Sequence, residues 1–340
     1  MQERPAPGLR IGILGAANIA RSFIAGVAAS DTVKVSALAS RDGAKSRRLA
    51  QDTGVPRAYG SYEELLADPA IDAIYIPLPN SLHAEWSIRA VQAGKHVLCE
   101  KPLAATASEA RAMFAAARER RVTLVEGFPY RAQPHTIKLQ QLVASGAIGE
   151  LISIQAAFGF TVMGAANIRL DPELAGGALM DAGTYPVSLV RLLAGERPTR
   201  VSAVARWHAR GVDQTLIASL EHPSGLLAQI SCSFATGLHR QALIAGTAGV
   251  IQTTFPNSPP LDRASVLTMK RGASWESAFE TIEVPAVNGF RAEAESFERL
   301  IRLGPDQWTG ATPEQSVDIM LTLEAILHSA HARQPVDVAG

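Results

Sequence analysis

Leu9-Arg10-Ile11-Gly12-Ile13-Leu14-Gly15-Ala16-Ala17-Asn18-Ile19-Ala20 decides how the first third of the chain reads. An apolar run, Leu9–Leu14, stops at Gly15, and an amphipathic stretch over 18–29 follows. The pattern is strand, turn, helix. Small residues stand at Gly15, Ala17 and Ala20, the spacing of a GxGxxG fingerprint with its second and third glycines replaced. Gly15 suits the tight turn, Ala17 costs some closeness of backbone to phosphate, and Ala20 still packs tightly on a sheet. By itself such a turn is equally a small-residue contact between helix and sheet. Its place after the first strand of an alternating region favours the phosphate-binding reading.

Outward from that turn, strand and helix alternate. Runs at Val33–Ala39, 72–76, 97–99 and 122–126 predict strands. Stretches at 42–52, 81–93 and 106–120 predict helices, with capping-box patterns at Ser61/Glu64 and Thr106/Glu109. Alternation of this kind implies right-handed crossovers and a parallel sheet covered by helices. After about Gly127 the texture changes. Strand-like segments follow one another with turns between, at 151–160, 200–207, 214–220, 226–234, 240–245, 250–255, 265–269 and 279–284. Consecutive strands favour an antiparallel sheet. Helical stretches interrupt or close this half at 177–193, 292–303 and 313–332, and the proline-rich 256–260 reads as a loop. The fold class expected is an α/β N-terminal Rossmann domain over 1–127. An α+β C-terminal domain over 128–340 carries a large, mostly antiparallel open sheet.

Composition narrows the function. The chain has 340 residues, 47% of them hydrophobic, with 32 Lys+Arg against 32 Asp+Glu. Zero net charge argues against a nucleic-acid partner, which needs a basic surface. Cys99 and Cys232 lie far apart without a CxxC partner, which suits a reducing compartment. The leading residues carry no long apolar run, and no stretch reaches the ~18 apolar residues of a membrane span. The expectation is a cytoplasmic protein with no membrane partner. His328 and His331 are spaced i, i+3 and His208 and His222 flank strands, but no carboxylate or cysteine completes a set, so no metal is expected.

The phosphate turn places a dinucleotide pyrophosphate on the first helix's N-terminus, against Gly15, Ala16, Ala17, Asn18 and Ile19. The second strand ends at Ala39, followed by Ser40-Arg41-Asp42, with Lys45 one turn on. An NAD site usually ends this strand with an acid on the ribose 2′-OH. A hydroxyl and two cations suit a 2′-phosphate instead, so NADP(H) is preferred and NAD(H) is the second option. Ligands in open α/β sheets bind outside the carboxyl ends of the strands. There stand Leu78, Pro79, Asn80 and His83 in one loop, and Glu100-Lys101-Pro102 in another. Lys101 could exchange a proton with a substrate hydroxyl and Glu100 could bond the cofactor. Such a pair is more often a plain surface feature. In the second half, Asp181 and Tyr185 are i and i+4 and share a helix face, and Pro186 should kink or restart that helix. The plainer alternative is a core tyrosine beside a capping aspartate.

Five blocks in order resemble one family, glucose–fructose oxidoreductase / inositol dehydrogenase / rhizopine catabolism protein. They are the turn 12–20, Pro79-Asn80-Ser81-Leu82-His83-Ala84-Glu85, and Ala93-Gly94-Lys95-His96-Val97 leading into Glu100-Lys101-Pro102. Asp181-Ala182-Gly183-Thr184-Tyr185 and Gly246-Thr247-Ala248-Gly249 complete the set. The resemblance spans nearly the whole chain. It implies a Rossmann domain, a second domain with a large open sheet, and hydride transfer at a carbinol or carbonyl carbon of a sugar, polyol or related compound. By position, Lys101 matches the family's catalytic lysine and Asp181 its second-domain acid. Tyr185 stands where many members have histidine, which is similar to the glucose–fructose oxidoreductase, NADP-dependent xylose dehydrogenase and dihydrodiol dehydrogenase branch. The missing secretion signal departs from glucose–fructose oxidoreductase itself. The resemblance also implies that Arg131 reaches the cofactor side of the cleft, with Tyr130 or His135 toward substrate. A phenol ionises near pH 10, so Tyr185 acting as a base needs a cation such as Lys101. Tryptophan and tyrosine are too few elsewhere to predict a sugar-stacking platform.

A catalytically silent NADP- or sugar-binding sensor of the same fold is the alternative function. The joint presence of Lys101, Asp181 and Tyr185 argues against it. One face of the second sheet, including 226–234 and 240–245, would be a large apolar surface in a monomer. A homodimer or homotetramer through that sheet is therefore expected.

Overall fold

A computed structural model describes residues 8–164, 167–272, 274 and 276–338. The leading segment read above for targeting signals lies, up to residue 7, outside them. The first half is built as β1 (Leu9–Leu14), α1 (Asn18–Val27), β2 (Val33–Ala39), α2 (Gly43–Thr53), β3 (Ala58–Tyr59), α3 (Tyr62–Ala67), β4 (Ala73–Ile76), α4 (His83–Gln92), β5 (His96–Glu100), α5 (Ala107–Arg120) and β6 (Leu124–Gly127). Its six strands run parallel in the order β3-β2-β1-β4-β5-β6. The order reverses beside β1, so the crevice over the ends of β1 and β4 is the natural ligand position. Strands β1 and β4 are apolar on both faces, as a sheet covered on both sides requires. Thr106 and Glu109 close a complete capping box on α5. At α3 only half the box forms, because Glu64 turns its carboxylate to the Gly60 N–H instead of Ser61.

The second half contributes α6 (Pro134–Ala144), β7 (Leu151–Thr161), one π turn over Leu179–Gly183, and α7 (Thr184–Ala194). Then come β8 (Arg200–Trp207), β9 (Asp213–Glu221), β10 (Leu227–Ser233), β11 (Ala235–Gly246), β12 (Gly249–Thr254), β13 (Ser265–Arg271) and β14 (Phe279–Val284). Helices α8 (Gly289–Leu303) and α9 (Pro313–Ala332) and the short β15 (Val336–Asp337) finish it. Nine strands form one sheet, β14-β13-β12-β11-β7-β10-β9-β8-β15, antiparallel except for the parallel pair β7–β10. Helices α6, α7 and α9 cover one face. The opposite face is less apolar than the sequence suggested. Alternation puts Gln155, Gln229, Gln241, Gln252 and Thr268 there among Ile217, Leu243 and Val266.

Helix α8 crosses back to the first half. Phe290 and Phe297 pack with Phe23, Ile11 and Tyr75 in the core under β1 and β4. Phe23 stacks on Tyr75 with centroids 3.9 Å apart, and Phe290 meets Phe23 edge-on at 6.4 Å. Burying each α8 phenylalanine contributes about 2–3 kcal/mol. Among the described residues no helix is long and apolar enough to cross a membrane.

Candidate active site

One continuous cleft of about 1090 Å³ runs from the phosphate turn to the second sheet. At one end, Gly15 has φ +115°, and a Cβ there would lie 2.9 Å from Leu78 Cδ2. Its N–H is tied to the Ala39 carbonyl at 2.8 Å, which locks the turn between β1 and β2. The N-cap of α1 is Ala17, whose methyl group cannot accept a hydrogen bond, and no acid stands in the first turn. The helix therefore presents uncapped N–H groups and its positive dipole end to the cleft. These features fit a pyrophosphate. Ser40, Arg41 and Lys45 line the cleft beyond the end of β2, and Arg21 and Arg48 join them. Asp42 is committed elsewhere, since its carboxylate caps α2 on the N–H groups of Ala44 and Lys45.

Strand β5 delivers Glu100 and Lys101 to the middle of the cleft, and the Lys101–Pro102 peptide is cis. The Lys101 ammonium donates to the Asp181 carboxylate at 2.8 Å and to the Asp181 carbonyl at 2.9 Å. An ammonium has three donors, so one remains. Arg169 holds the other Asp181 oxygen at 2.6 Å. Burial pushes the Asp181 carboxyl up, but Lys101 and Arg169 outweigh it and bring it down to about 2. Asp181 is thus ionised throughout the neutral range. Burial also pulls the Lys101 ammonium down, yet Asp181, Tyr185 and Glu100 leave it above the ordinary lysine value. Lys101 is a held cation at neutral pH. Its nitrogen lies 4.9 Å from the centre of the Tyr185 ring. Burial raises the Tyr185 phenol, and Lys101 and Arg240 only partly pull it back. A neutral phenol beside a fixed ammonium is placed to give a proton.

The π turn over Leu179–Gly183 is how the helix restarts ahead of Pro186. Proline lacks the N–H that regular winding would use, and the wider turn absorbs that loss. Glu100 accepts from the Tyr75 hydroxyl at 2.6 Å and from the Lys101 N–H at 3.3 Å. Leu78, Pro79 and Asn80 line the cleft, and Asn80 donates across it to the Ala175 carbonyl at 2.8 Å.

Two family descriptions match this chain: an oxidoreductase family with an NAD-binding Rossmann fold over residues 9–128, and a GFO/IDH/MocA C-terminal domain over 136–252. The chain belongs to the GFO/IDH/MocA oxidoreductase family. It is 40% identical over 338 residues to D-xylose 1-dehydrogenase (NADP(+)) 2 of Haloferax volcanii, covering 97% of this chain and 100% of that protein. It is 37% identical over 244 residues to trans-1,2-dihydrobenzene-1,2-diol dehydrogenase of Xenopus tropicalis, covering 71% and 74%. Among solved structures, the 3-ketoreductase KijD10 from Actinomadura kijaniata, in complex with NADP and TDP-benzene, superposes with TM-score 0.86. The identity is 30%, and 95% of this chain and 98% of that chain are covered.

In this GFO/IDH/MocA oxidoreductase some expected residues lie away from the cleft. Arg131 is 1% exposed and sits in the core. It donates to Gln315 at 2.9 Å and to the Ser188 carbonyl at 3.4 Å, so it braces α7 against α9 and does not reach the cofactor side. His83 lies beneath the cleft wall. Its ring joins the Leu78 and Pro102 carbonyls, each at 2.8 Å, and so ties together the two loops that do line it. Tyr130 is buried with its hydroxyl on Ser188, and His135 is buried against Thr253. Neither faces the cleft. Sequence reasoning missed Arg169, Arg240 and Asn257, which line it, because a short 3-10 turn, a strand and a loop carry them without a motif. It also overlooked the aromatic wall. Phe158 and Phe160 on β7 border the cleft, where only tryptophan and tyrosine had been counted.

Proposed function

We propose that this chain is an NADP(H)-dependent oxidoreductase. It moves hydride between nicotinamide C4 and a carbinol or carbonyl carbon of a sugar, polyol or related compound. The observation that carries this reading is the convergence of Lys101 and Tyr185, from opposite halves of the chain, in one cleft continuous with the phosphate turn. The named relatives, a xylose dehydrogenase and a 3-ketoreductase, support the substrate class. Gly15 through Ile19 would hold the pyrophosphate, and Ser40, Arg41 and Lys45 the 2′-phosphate. When bound, the nicotinamide supplies hydride chemistry at its C4. In the reductive direction Lys101 uses its remaining N–H to polarise the substrate oxygen, and Tyr185 donates the proton that the oxygen takes up. In the oxidative direction the phenolate form of Tyr185, favoured by Lys101 and Arg240, accepts the proton that the substrate hydroxyl gives up. Asp181 keeps Lys101 charged and aimed, and the rings of Phe158 and Phe160 give the sugar an apolar wall. A panel of D-xylose, other aldoses and keto-sugars, followed at the nicotinamide absorbance, tests the reading. No turnover with any of them would return the sensor alternative.

Preference for NADP(H) is supported by the cations past β2. Arg41→Ala should weaken NADPH binding about 10- to 100-fold while NADH changes little, because a charge-assisted bond to a phosphate is lost and none to a hydroxyl. Fluorescence titration reads both constants, and equal losses would place the 2′-phosphate elsewhere. We also propose that copies associate through the amide- and hydroxyl-bearing outer face of the second sheet, as a homodimer or homotetramer. Light scattering of the wild type against Ile217→Glu checks this. A wild-type monomer at micromolar concentration would end the proposal.

A further inference from the structure

Two residues outside every sequence motif frame the Tyr185 phenol. Arg240 on β11 lies with its guanidinium carbon 3.8 Å from the centre of the Tyr185 ring. Three more rings close around it: Phe255 at 4.8 Å, Phe158 at 4.9 Å and Tyr130 at 5.3 Å. Its Nε and Nη2 are buried without a hydrogen-bond partner among the described residues. Aromatic faces, electron-rich at the π cloud, meet the charge instead. Burial lowers the guanidinium to about 10, against the opposing pull of Tyr185 and Tyr130, so it stays charged at neutral pH.

This geometry decides between two uses of an arginine in a sugar cleft. A guanidinium that captures an anionic substrate group offers a pair of N–H groups to open space. Here Nε and Nη2 are covered and one N–H of Nη1 goes to Asn257 Oδ1 at 3.3 Å, so no fork of N–H groups from two nitrogens opens to the cleft. The charge is fixed against the phenol ring, and its bidentate fork is closed to an anionic ligand.

Arginine also sets the direction of its neighbour. It has donors only, so the amide oxygen of Asn257 must face it. The amide nitrogen then faces Tyr185 and donates to the phenol oxygen at 2.8 Å. That oxygen is an acceptor toward Asn257, and its own proton is left for another group. Among the described residues the phenol donates no hydrogen bond to the chain. The backbone that carries Asn257 is pinned for this purpose. Gln133 Nε2 donates to the Pro256 carbonyl at 2.7 Å and the Asn257 carbonyl at 2.6 Å. Gly289 lies so close to the Asn257 carbonyl that a Cβ there would overlap it.

We propose that Arg240 and Asn257 are positioning residues that hold Tyr185 as a hydrogen-bond donor toward the substrate oxygen and set the acidity of its phenol. The proposal rests on the reading of Tyr185 as the proton-exchanging group. The charged and titratable groups around that phenol are Lys101, Glu100, Arg240, Tyr130 and Tyr75, with Asp181 acting through Lys101. Of these, Lys101 and Arg240 favour the phenolate and Glu100 opposes it.

The test uses the full chain with NADP+ bound and its five tyrosines replaced by 2,3-difluorotyrosine, whose phenol ionises at lower pH. Fluorine NMR follows each ring, and Tyr185→Phe assigns the signal. Arg240→Met and Asn257→Leu should each raise the ionisation midpoint at position 185 by about one pH unit or more. Arg240→Lys, which keeps the charge among the rings, should return most of the shift. In D-xylose oxidation the limb over which kcat rises with pH, as the phenolate base forms, should move up in parallel while KM stays nearly constant. Asn257→Asp, which turns an acceptor toward the phenol, should lower kcat further than Asn257→Leu. An unchanged midpoint in both Arg240→Met and Asn257→Leu overturns the proposal. If Arg240→Met does not fold, the midpoints of Asn257→Leu and Asn257→Asp decide it. Full turnover by Tyr185→Phe would instead remove the underlying role of the phenol, and the fluorine midpoints would still report on the tuning separately.

Discussion

Lys101→Ala should lower kcat about a thousandfold or more and leave NADPH bound. The ammonium pairs with Asp181 at 2.8 Å and lies 4.9 Å from the centre of the Tyr185 ring. Its removal takes away the donor that polarises the substrate oxygen and one of the two charges that favour the phenolate. Asp181 keeps Arg169 at 2.6 Å, so no buried carboxylate is stranded and the fold should survive. The phosphate turn and the cations past β2 are untouched, so NADPH fluorescence should titrate within a few-fold of wild type. Stopped-flow turnover and the fluorescence titration on one preparation separate the two effects. A variant that still turns over within tenfold of wild type would sink the assigned role.

Tyr185→Phe is the second large effect. Loss of the phenol should cost about 10²- to 10⁴-fold in kcat, the range of a single proton-transfer group. The KM for sugar should change little. The ring itself is structural: it packs against Phe158 at 5.5 Å, Phe128 at 5.7 Å and Tyr130 at 6.0 Å. Phenylalanine keeps those contacts, so thermal stability should fall by no more than about 1–2 kcal/mol for the lost bond from Asn257. A near-normal kcat would move proton transfer to Lys101 alone.

Much of this architecture was legible in the chain because periodicity reports burial. The alternation of runs and amphipathic stretches up to residue 127 predicts a parallel sheet, and the later run of strands predicts an antiparallel one. Both form. Short or exposed elements were not legible. Strand β3 has two residues and α6 begins at a proline without a capping side chain, so neither carries a strong local signal. At the site, local motifs placed Gly15, Ser40, Arg41, Glu100, Lys101, Asp181 and Tyr185 along one cleft. Arg131 shows the opposite case. The family resemblance implies a place on the cofactor side of the cleft, while in three dimensions its guanidinium braces two helices. Arg240 and Asn257 act through tertiary proximity to Tyr185, which no sequence spacing encodes.

Helix α8 has a further bearing on how the protein comes into being. Phe290 and Phe297 complete the apolar layer over Phe23 and Tyr75, yet they are encoded some 270 positions after Phe23. A nascent chain leaving the ribosome therefore cannot finish its nucleotide half when that half has been synthesised. The patch waits, uncovered, until α8 (Gly289–Leu303) has been made, and during that interval it is the surface a chaperone would bind.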